Sequence, residues 1–263
     1  MAVREILPNK PLVEAIFEIK WKLKKGPNNT YIDENFHLIP GILYSKIAEE
    51  YPDYFSLPTS MLPPEIAAYT PRYQFRQKEG GWPLVQIGPG ILTINDTENY
   101  VWEDFEKRVI HVVANLFNSY SQIKKDIELE SLMLRYIDAI PFNYSESNIF
   151  EFLEKKLKLN IQITPALFSK DTVQTKPSNF NIDLSYSSNK PAGVITLKFS
   201  TGFKSDSDGQ IKQALIWNTM FRSETDIPSA KEKEIIEWVK SSHGLINEWF
   251  FTLIEGDLIK QFR

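Results

Sequence analysis

The sequence predicts an α+β fold in which two β-α-β-β-β-α units form a broad antiparallel sheet with helices packed on one face. First, residues 12–21 and 133–142 are similar strand-type runs, in which Ile16 aligns with Ile137. Second, each run is followed by a helix, further strands and a long helix. Third, the two long helices match as well. The matching residues are His111 with His243, Asn115 with Asn247, and Phe117 with Trp249.

A repeated unit of this kind predicts one pseudo-two-fold domain rather than two unrelated domains. We expect this single domain to span residues 1–263, with unit one at about residues 10–125 and unit two at about residues 130–255.

Unit one begins with a predicted strand at residues 13–21, because its apolar residues alternate with mostly polar ones. A helix is expected at about residues 40–50. Four prolines then predict an extended, irregular segment over residues 57–71. The unit ends with three short strands and a long amphipathic helix. These are predicted as strands 72–77, 83–87 and 91–95, and a helix that begins near Tyr100 with Asp96 or Thr97 as its N-cap.

Unit two repeats this order with a longer hairpin. A strand at residues 132–142 precedes a helix from residue 148 to about residue 159, which Ser145 or Ser147 is expected to cap. An irregular connection follows, and then three strands with a polar loop before the last of them. The expected ranges are 161–179 for the connection, 180–186, 194–200 and 214–222 for the strands, 201–210 for the loop, and about 230–254 for the final helix.

Composition excludes several classes of chemistry. The chain of 263 residues has no cysteine, which excludes disulfides, thiol nucleophiles and cysteine-ligated metal sites. Its net charge of −4 gives no overall basic field, so nucleic-acid binding by this chain alone is not expected. There is no Gly-rich phosphate loop, no nucleophile elbow and no histidine pair at metal-ligand spacing, and no cofactor or metal is predicted. Without an apolar span or a signal-peptide core, we expect a cytoplasmic protein with no membrane partner.

One strand carries a candidate for catalysis, because Glu14, Glu18 and Lys20 point the same way. Residues 18–20 match the E-x-K of restriction-type nucleases but not the acid that precedes it there. The strand also approaches the E-x-E-x-K of tunnel triphosphatases, with Ile16 at the middle acid position. Arg135 and Lys198 complete the candidate catalytic set for a phosphoester- or triphosphate-acting enzyme. The other interpretation is a solvated or salt-bridged sheet face, with Glu14 against Arg135. The histidines His111 and His243, at matching helical positions, are expected to be structural, as is the carboxyl of Asp138 on the apolar side of its strand.

The two irregular segments are apolar for loops, and this makes them candidates for a partner contact. The alternative is that they pack over the sheet edge. The partner-binding residues predicted from this pattern are Met61, Leu62, Ile66, Tyr69, Leu167 and Phe168.

The opening run N-K-P-L-V-E-A-I-F-E at residues 9–18, the strand L-R-Y-I-D at residues 134–138 and the histidine-bearing helix at residues 238–249 resemble a known family. It is a sporadically distributed, uncharacterised prokaryotic family of about 260 residues. The patchy distribution of such a family implies mobile genetic neighbourhoods, including phage-defence and toxin–antitoxin loci. It implies no catalytic residues.

The sequence therefore favours a non-enzymatic protein-binding or accessory module, and the resemblance implies that such a module belongs to a locus of this kind. The partner is expected to be another protein, and a homo-oligomer stays open. The alternatives are the metal-dependent enzyme described above and nucleic-acid binding on the sheet.

Overall fold

The computed structural model describes residues 6–63, 66–97, 99–169, 172–205, 209–224 and 227–263. These ranges contain a nine-stranded antiparallel sheet, a separate two-stranded sheet and five α-helices. The strands are β1 (Leu12–Trp21), β2 (Lys24–Lys25), β3 (Tyr31–Ile32), β4 (Asp53–Ser56), β5 (Tyr73–Arg76), β6 (Leu84–Gly88), β7 (Ile91–Asp96), β8 (Leu129–Pro141), β9 (Asn181–Asn189), β10 (Ala192–Ser205) and β11 (Ile211–Arg222). The helices are α1 (Ile39–Ile47), α2 (Trp102–Gln122), α3 (Ile149–Leu157), α4 (Glu232–Ile254) and α5 (Asp257–Phe262).

The large sheet has the order β4-β5-β6-β7-β1-β8-β11-β10-β9, with β1 and β8 paired at its centre. The register of this central pair sets Ala15 opposite Tyr136 and Phe17 opposite Leu134. Outward from the centre, each half of the chain places its opening strand first, its last strand second and its earlier strands at the edge. The predicted α+β class and broad antiparallel sheet are confirmed.

Burial alternates along β1 as the sequence predicts. Ala15, Phe17, Ile19 and Trp21 are buried beneath the helices, whereas Glu14, Glu18 and Lys20 are half-buried on the opposite face of the sheet. Helix α2 contacts β7, and α4 contacts β8, β11 and α2. The shorter helices pack against these two, α1 on α2, and α3 and α5 on α4. The sheet therefore has one face covered by helices and one open, polar face.

Two predicted helix caps are wrong. Helix α2 begins at Trp102 after Val101, because β7 continues through Asp96, whose carboxylate instead accepts from the Thr97 N–H and from Arg108. At α3 the cap is Asn148, which accepts from the Phe150 N–H at 3.0 Å, rather than Ser145 or Ser147. In both cases several cap-forming residues are close together, and tertiary contacts decide among them.

The first half of the predicted polar loop at residues 201–210 is strand, and residues 206–208 lie outside the described ranges. Strand β10 continues to Ser205 and β11 starts at Ile211, so this hairpin extends past the ends of β9 and β8. Thr201 and Phe203 favour extended backbone, which offsets the polarity of the segment. The sequence also did not predict β2, β3, β4 or α5. Helix α5 folds back on the body, where the Phe262 carbonyl accepts from the Asn9 N–H at 3.0 Å.

The helix-covered face has two apolar clusters. The first lies beneath β1, β5, β6, β7 and the first part of β8, with α1, α2 and the first half of α4. The second lies beneath β10, β11 and the end of β8, with α3, α5 and the last turns of α4. Trp249 packs against both. The junction of the two clusters is consequently under the middle of β8.

The matched histidines have different environments. His243 is buried between α4 and α2, and this agrees with the expected structural role at a helix contact. His111 is exposed and lies beside Asn115 of the same helix. None of the helices in the described ranges combines the length and apolar character that crossing a bilayer requires.

Candidate functional site

A cavity of about 250 Å³ lies at the junction of the two apolar clusters. Its floor is the helix-covered face of β8 and β11, and its walls come from residues 6–12, from residues 100–103 at the start of α2, and from α4. Residues from these elements that line it include Lys10, Trp102, Tyr136, Asp138, Thr219, His243, Ile246 and Phe250. It is bounded mainly by apolar side chains with a few polar groups, which is the usual composition of a small-molecule site.

The periodicities of the strand and the helix bring these residues together. Tyr136 and Asp138 are two apart on β8 and so share its helix-covered face. The strand register sets Thr219 of β11 opposite Tyr136. On α4, His243, Ile246 and Phe250 are spaced by three and four residues, so they form one stripe that faces the cavity.

A chain of hydrogen bonds joins the segment before α2 to strand β8 and helix α4. The Tyr100 and Tyr136 hydroxyl oxygens are 2.7 Å apart, and the Tyr136 hydroxyl is 2.9 Å from Nδ1 of His243. The His243 ring stacks on the Trp102 indole with centroids 3.6 Å apart. Lys10 donates from Nζ to the Tyr100 carbonyl. These contacts hold the wall in one arrangement, since every ring is fixed by a neighbour.

Asp138 differs from these residues because its carboxyl group is buried without a described partner. It is 3% exposed, and within the described ranges no hydrogen bond or ion pair to its carboxyl oxygens is present. Desolvation raises the pKa of Asp138 to about 7, and the positive charge of Lys204 opposes that rise. A buried carboxylate without hydrogen bonds is unfavourable and requires a physical explanation.

The other ionisable groups of the cavity are engaged. Desolvation lowers the pKa of Lys10, and the Asp96 carboxylate opposes that shift. Its ammonium nitrogen is also 5.7 Å from the centroid of the Tyr100 ring. Burial raises the pKa of the Tyr100 phenol, which therefore stays neutral and can donate or accept a hydrogen bond. Asp138 is thus the ionisable group of the cavity whose carboxylate has no hydrogen bond or ion pair from a described residue.

The predicted catalytic set lies elsewhere, on the open face of the sheet. Glu18 and Lys20 pair with each other, with Nζ 3.1 Å from Oε1. Glu14 accepts from the Asn95 amide at 2.8 Å. The sequence suggests Arg135 as the partner of Glu14 on a salt-bridged sheet face. Its guanidinium instead donates to Asn218 at 2.9 Å.

Lys198 does not join this group. It lies on β10, three strands away from β1. At about 4.8 Å per strand, it is about 14 Å from Glu14 across the sheet. The structure therefore brings Glu14, Glu18, Lys20 and Arg135 onto neighbouring strands, pairs them within the sheet, and leaves Lys198 apart. The described residues contain no group of three or more histidine, aspartate or glutamate side chains that could hold a metal ion.

The predicted partner-binding residues lie in two separate places. The segment with Met61, Leu62, Ile66 and Tyr69 connects β4 to β5, and the segment with Leu167 and Phe168 leads into β9. Because β4 and β9 are the two edge strands, these segments are at opposite ends of the sheet.

Their exposure also varies within each segment. Met61, Ile66 and Leu167 are exposed, whereas Leu62, Tyr69 and Phe168 are half-buried. Tyr69 lies over Gly90, where an added Cβ would be 2.7 Å from its ring, and donates its hydroxyl to Glu130.

Sequence reasoning did not find the cavity. The pattern predicts that Asp138, on the apolar face of its strand, is a structural hydrogen-bond acceptor, but no described group donates to it. It also predicts a structural role for His243, and it does not indicate Lys10 or Tyr136. The sequence does contain one indication of the cavity: a carboxyl on a buried strand face, Asp138, together with a histidine on the apolar stripe of α4, His243. A comparison of the chain with protein-family models and with curated proteins finds no match.

Proposed function

We propose that this chain is a binding protein whose central cavity takes a small organic cation, an apolar body with one ammonium or similar donor group. The observation that carries the proposal is the buried carboxyl of Asp138, which lines the cavity and has no hydrogen bond from the described residues. A ligand cation beside it supplies the missing partner, and an ion pair of this kind in a desolvated site is stronger than at a surface.

A cation fits better than an anion. The ammonium of Lys10 would suit a carboxylate ligand, but it already donates to the Tyr100 carbonyl and is near the Tyr100 ring. An anionic ligand would also have to share the cavity with Asp138, and two close negative charges raise each other's pKa values. The aromatic rings of Trp102 and Phe250 supply the apolar walls.

The size of the cavity limits the ligand. A cavity of about 150 Å³ is enough for benzene. The space here is about 250 Å³, which accommodates one aromatic or aliphatic ring with a short amine-bearing chain. Phenethylamine is therefore a suitable probe, and phenethyl alcohol is its neutral analogue of the same shape.

The experiment is a calorimetric titration of both probes into the full chain at about pH 8, where Asp138 is mostly ionised and an alkylammonium is still charged. Because a hydrogen bond to a charged group contributes about 1.5–3 kcal/mol, we expect the amine to bind roughly tenfold to a hundredfold more tightly than the alcohol. In Asp138→Asn, which keeps the shape of the side chain, this preference should disappear.

Equal affinities for the two probes in the wild-type chain would contradict the cation proposal. An unchanged preference for the amine in Asp138→Asn would show that another site selects the charge. Thr219→Val is a matched control, because it changes a neighbouring side chain of similar size without removing charge.

A second candidate function is the protein contact predicted from the sequence. Met61 is 90% exposed and Ile66 is 66% exposed in the same segment, an unusual exposure for two large apolar side chains so close together. A partner that binds this segment should be lost from Met61→Ser/Ile66→Ser. It should be retained by Phe203→Ser/Ile211→Ser, which alters two exposed apolar residues of the β10–β11 hairpin. Equal retention by both variants would exclude this segment as the contact.

We also propose that the two halves descend from one duplicated unit. The same outward order of strands in each half supports this, as does the central register. The offset that aligns Ile16 with Ile137 also aligns Ala15 with Tyr136, and these two residues are opposite each other in the sheet. A two-fold axis would then pass between them, beside the cavity. Membership of the family that the sequence resembles, and a role in a defence locus, stay predictions.

A further inference from the structure

Strand β9 is the last strand of the large sheet, and its outer edge has no backbone partner in the described part of the chain. One hydrogen bond shows which residues of β9 bond to β10: the Phe180 carbonyl, just before β9, accepts from the Thr201 N–H at 3.0 Å. Because hydrogen-bonded positions alternate in an antiparallel pair, even-numbered residues of β9 bond to β10 and odd-numbered residues direct their N–H and C=O groups outward. The residues with outward groups are Asn181, Asp183, Ser185, Ser187 and Asn189.

Apart from the charge of Asp183, this edge lacks the features that usually prevent strand addition. Natural sheets protect their edges with prolines, lysines, bulges or short strands. Strand β9 is nine residues long and contains neither proline nor lysine, and its register with β10 is regular along its whole length. The other edge strand, β4, has only four residues.

The side chains of β9 are complementary to a second β9 in antiparallel orientation. If Leu184 of one copy faces Leu184 of the other, Ile182 falls opposite Tyr186, and all three lie on the helix-covered face. On the open face Asp183 falls opposite Ser185, so no like charges face each other. A shift of the axis by one residue, to Ser185, would set Ile182 against Ser188 and lose this match.

We propose that two copies of this chain associate through antiparallel β9 strands, with the two-fold axis at Leu184, so that their sheets become one continuous sheet. In this register the outward odd-numbered residues face each other as hydrogen-bonded pairs, as the alternation of hydrogen-bonded positions requires. Residue 181 pairs with 187 and residue 183 with 185, each twice by symmetry, for about eight backbone hydrogen bonds. The partner is a second copy because the match of apolar and polar positions is a match of β9 with itself.

The first test is sedimentation equilibrium of the full chain at about 100 µM. The wild-type chain should have twice the 30.5 kDa mass of one copy. Ser185→Pro removes an outward N–H that β10 does not use, and proline is tolerated at such edge positions. This variant should sediment as a single copy with an unchanged circular dichroism spectrum. Ser185→Ala loses the same hydroxyl contact with Thr196 but keeps the N–H, so it should remain a dimer.

The second test fixes the register. Leu184→Lys and Leu184→Glu each place two like charges together at the axis, so each variant alone should be a single copy. An equimolar mixture of the two should restore the dimer, because the charges are then opposite. A wild-type chain of single-copy mass at that concentration, or a dimer that survives Ser185→Pro, would overturn the proposal. A mixture that remains single-copy would overturn the axis at Leu184.

Discussion

The imidazole of His243 lies flat against the indole of Trp102, with ring centroids 3.6 Å apart and ring planes 5° apart. Trp102 is the first residue of α2, and His243 is in the middle of α4, so this stack joins the two long helices. The Tyr136 hydroxyl, 2.9 Å from Nδ1 of His243, extends the connection to the central strand β8. These contacts form one wall of the cavity and fix its width.

Removing the hydroxyl at the centre of this network should destabilise the fold. Tyr136→Phe loses the contacts with both Tyr100 and His243, which are only partly replaceable in a buried site. We expect the free energy of unfolding to fall by about 1–3 kcal/mol, measured by urea denaturation. Tyr144→Phe is the control, because its hydroxyl makes one long contact, 3.4 Å from the Ala214 carbonyl. A loss no larger for Tyr136→Phe than for this control would show that the network contributes little.

The raised pKa of Asp138 should make stability depend on pH. In the folded state its pKa is about 7, above the value of 3.8 for an unperturbed aspartate, so the folded protein binds a proton more strongly than the unfolded chain. The corresponding stability is fully present below about pH 4 and is lost as the pH rises through about 7. Asp138→Asn should remove this dependence. Relative to the wild type, it should gain on the order of a few kcal/mol at about pH 8 and little at about pH 4.

The measurement is the difference in unfolding free energy between the wild type and Asp138→Asn across this pH range, since the other titrating groups cancel in the difference. A difference that does not change with pH would mean that Asp138 has an ordinary pKa and a partner. If Asp138→Asn were less stable than the wild type at the higher pH, the carboxylate of Asp138 would have a favourable partner, contrary to the prediction.

A buried ion pair between β7 and α2 should respond in the opposite direction. The guanidinium of Arg108 is 3.0 Å from the Asp96 carboxylate, and Asp96 is 4% exposed. Burial raises the pKa of Asp96, and Arg108 opposes that rise. Arg108→Leu leaves the buried carboxylate without its ion-pair partner, which should cost about 3–5 kcal/mol at neutral pH. The loss should decrease as the pH falls, because Asp96 then takes up a proton.

Lys107→Leu is the matched control for this prediction. Lys107 is the neighbouring residue, and its pair with Asp104 is largely exposed, so its removal should change stability by less than about 1 kcal/mol. Thermal unfolding at about pH 5 and 7 distinguishes the two variants. An Arg108→Leu loss that is the same at both pH values would show that Asp96 stays ionised in the variant.

If the chain consists of two units, it should still fold when the second unit precedes the first in a circularly permuted chain. The Asn9 N–H donates to the Phe262 carbonyl at 3.0 Å, so the two ends of the described body are adjacent and a short linker can join them. We expect a circular permutant opened between Lys125 and Asp126, in the exposed link from α2 to β8, to fold with cooperative unfolding. A permutant opened at Asn189–Lys190 separates β9 from β10 and should lose more stability. The reverse order of stabilities would argue against units with that boundary.

The sequence predicted the features that depend on local periodicity. The alternation in β1, with Phe17 and Ile19 on the buried face, and the apolar stripe of α2 are strong period-two and helical signals, and they gave the fold class and most of the elements. The N-cap at Asn148 and the length of the β10–β11 hairpin depend on competing local choices that tertiary contacts decide.

The site could not be predicted in the same way. The cavity exists because two apolar clusters meet under β8, and no segment of the sequence carries that information. Asp138 and His243 are more than a hundred residues apart in the chain, and only the pairing of β8 with β11 and the placement of α4 bring them to one space. The polar strand face with Glu14 and Glu18 is visible in the sequence because its pattern is local, but its side chains are paired within the sheet.

The most direct test of the cavity as a ligand site is to locate bound phenethylamine by intermolecular nuclear Overhauser effects in the full chain with labelled methyl groups. We expect contacts from the ring protons of the probe to the methyl groups of Ile246 and Thr219, both of which line the cavity. These contacts should weaken in Asp138→Asn. Contacts to the exposed methyl groups of Met61 or Leu167 instead, with none to Ile246, would contradict it.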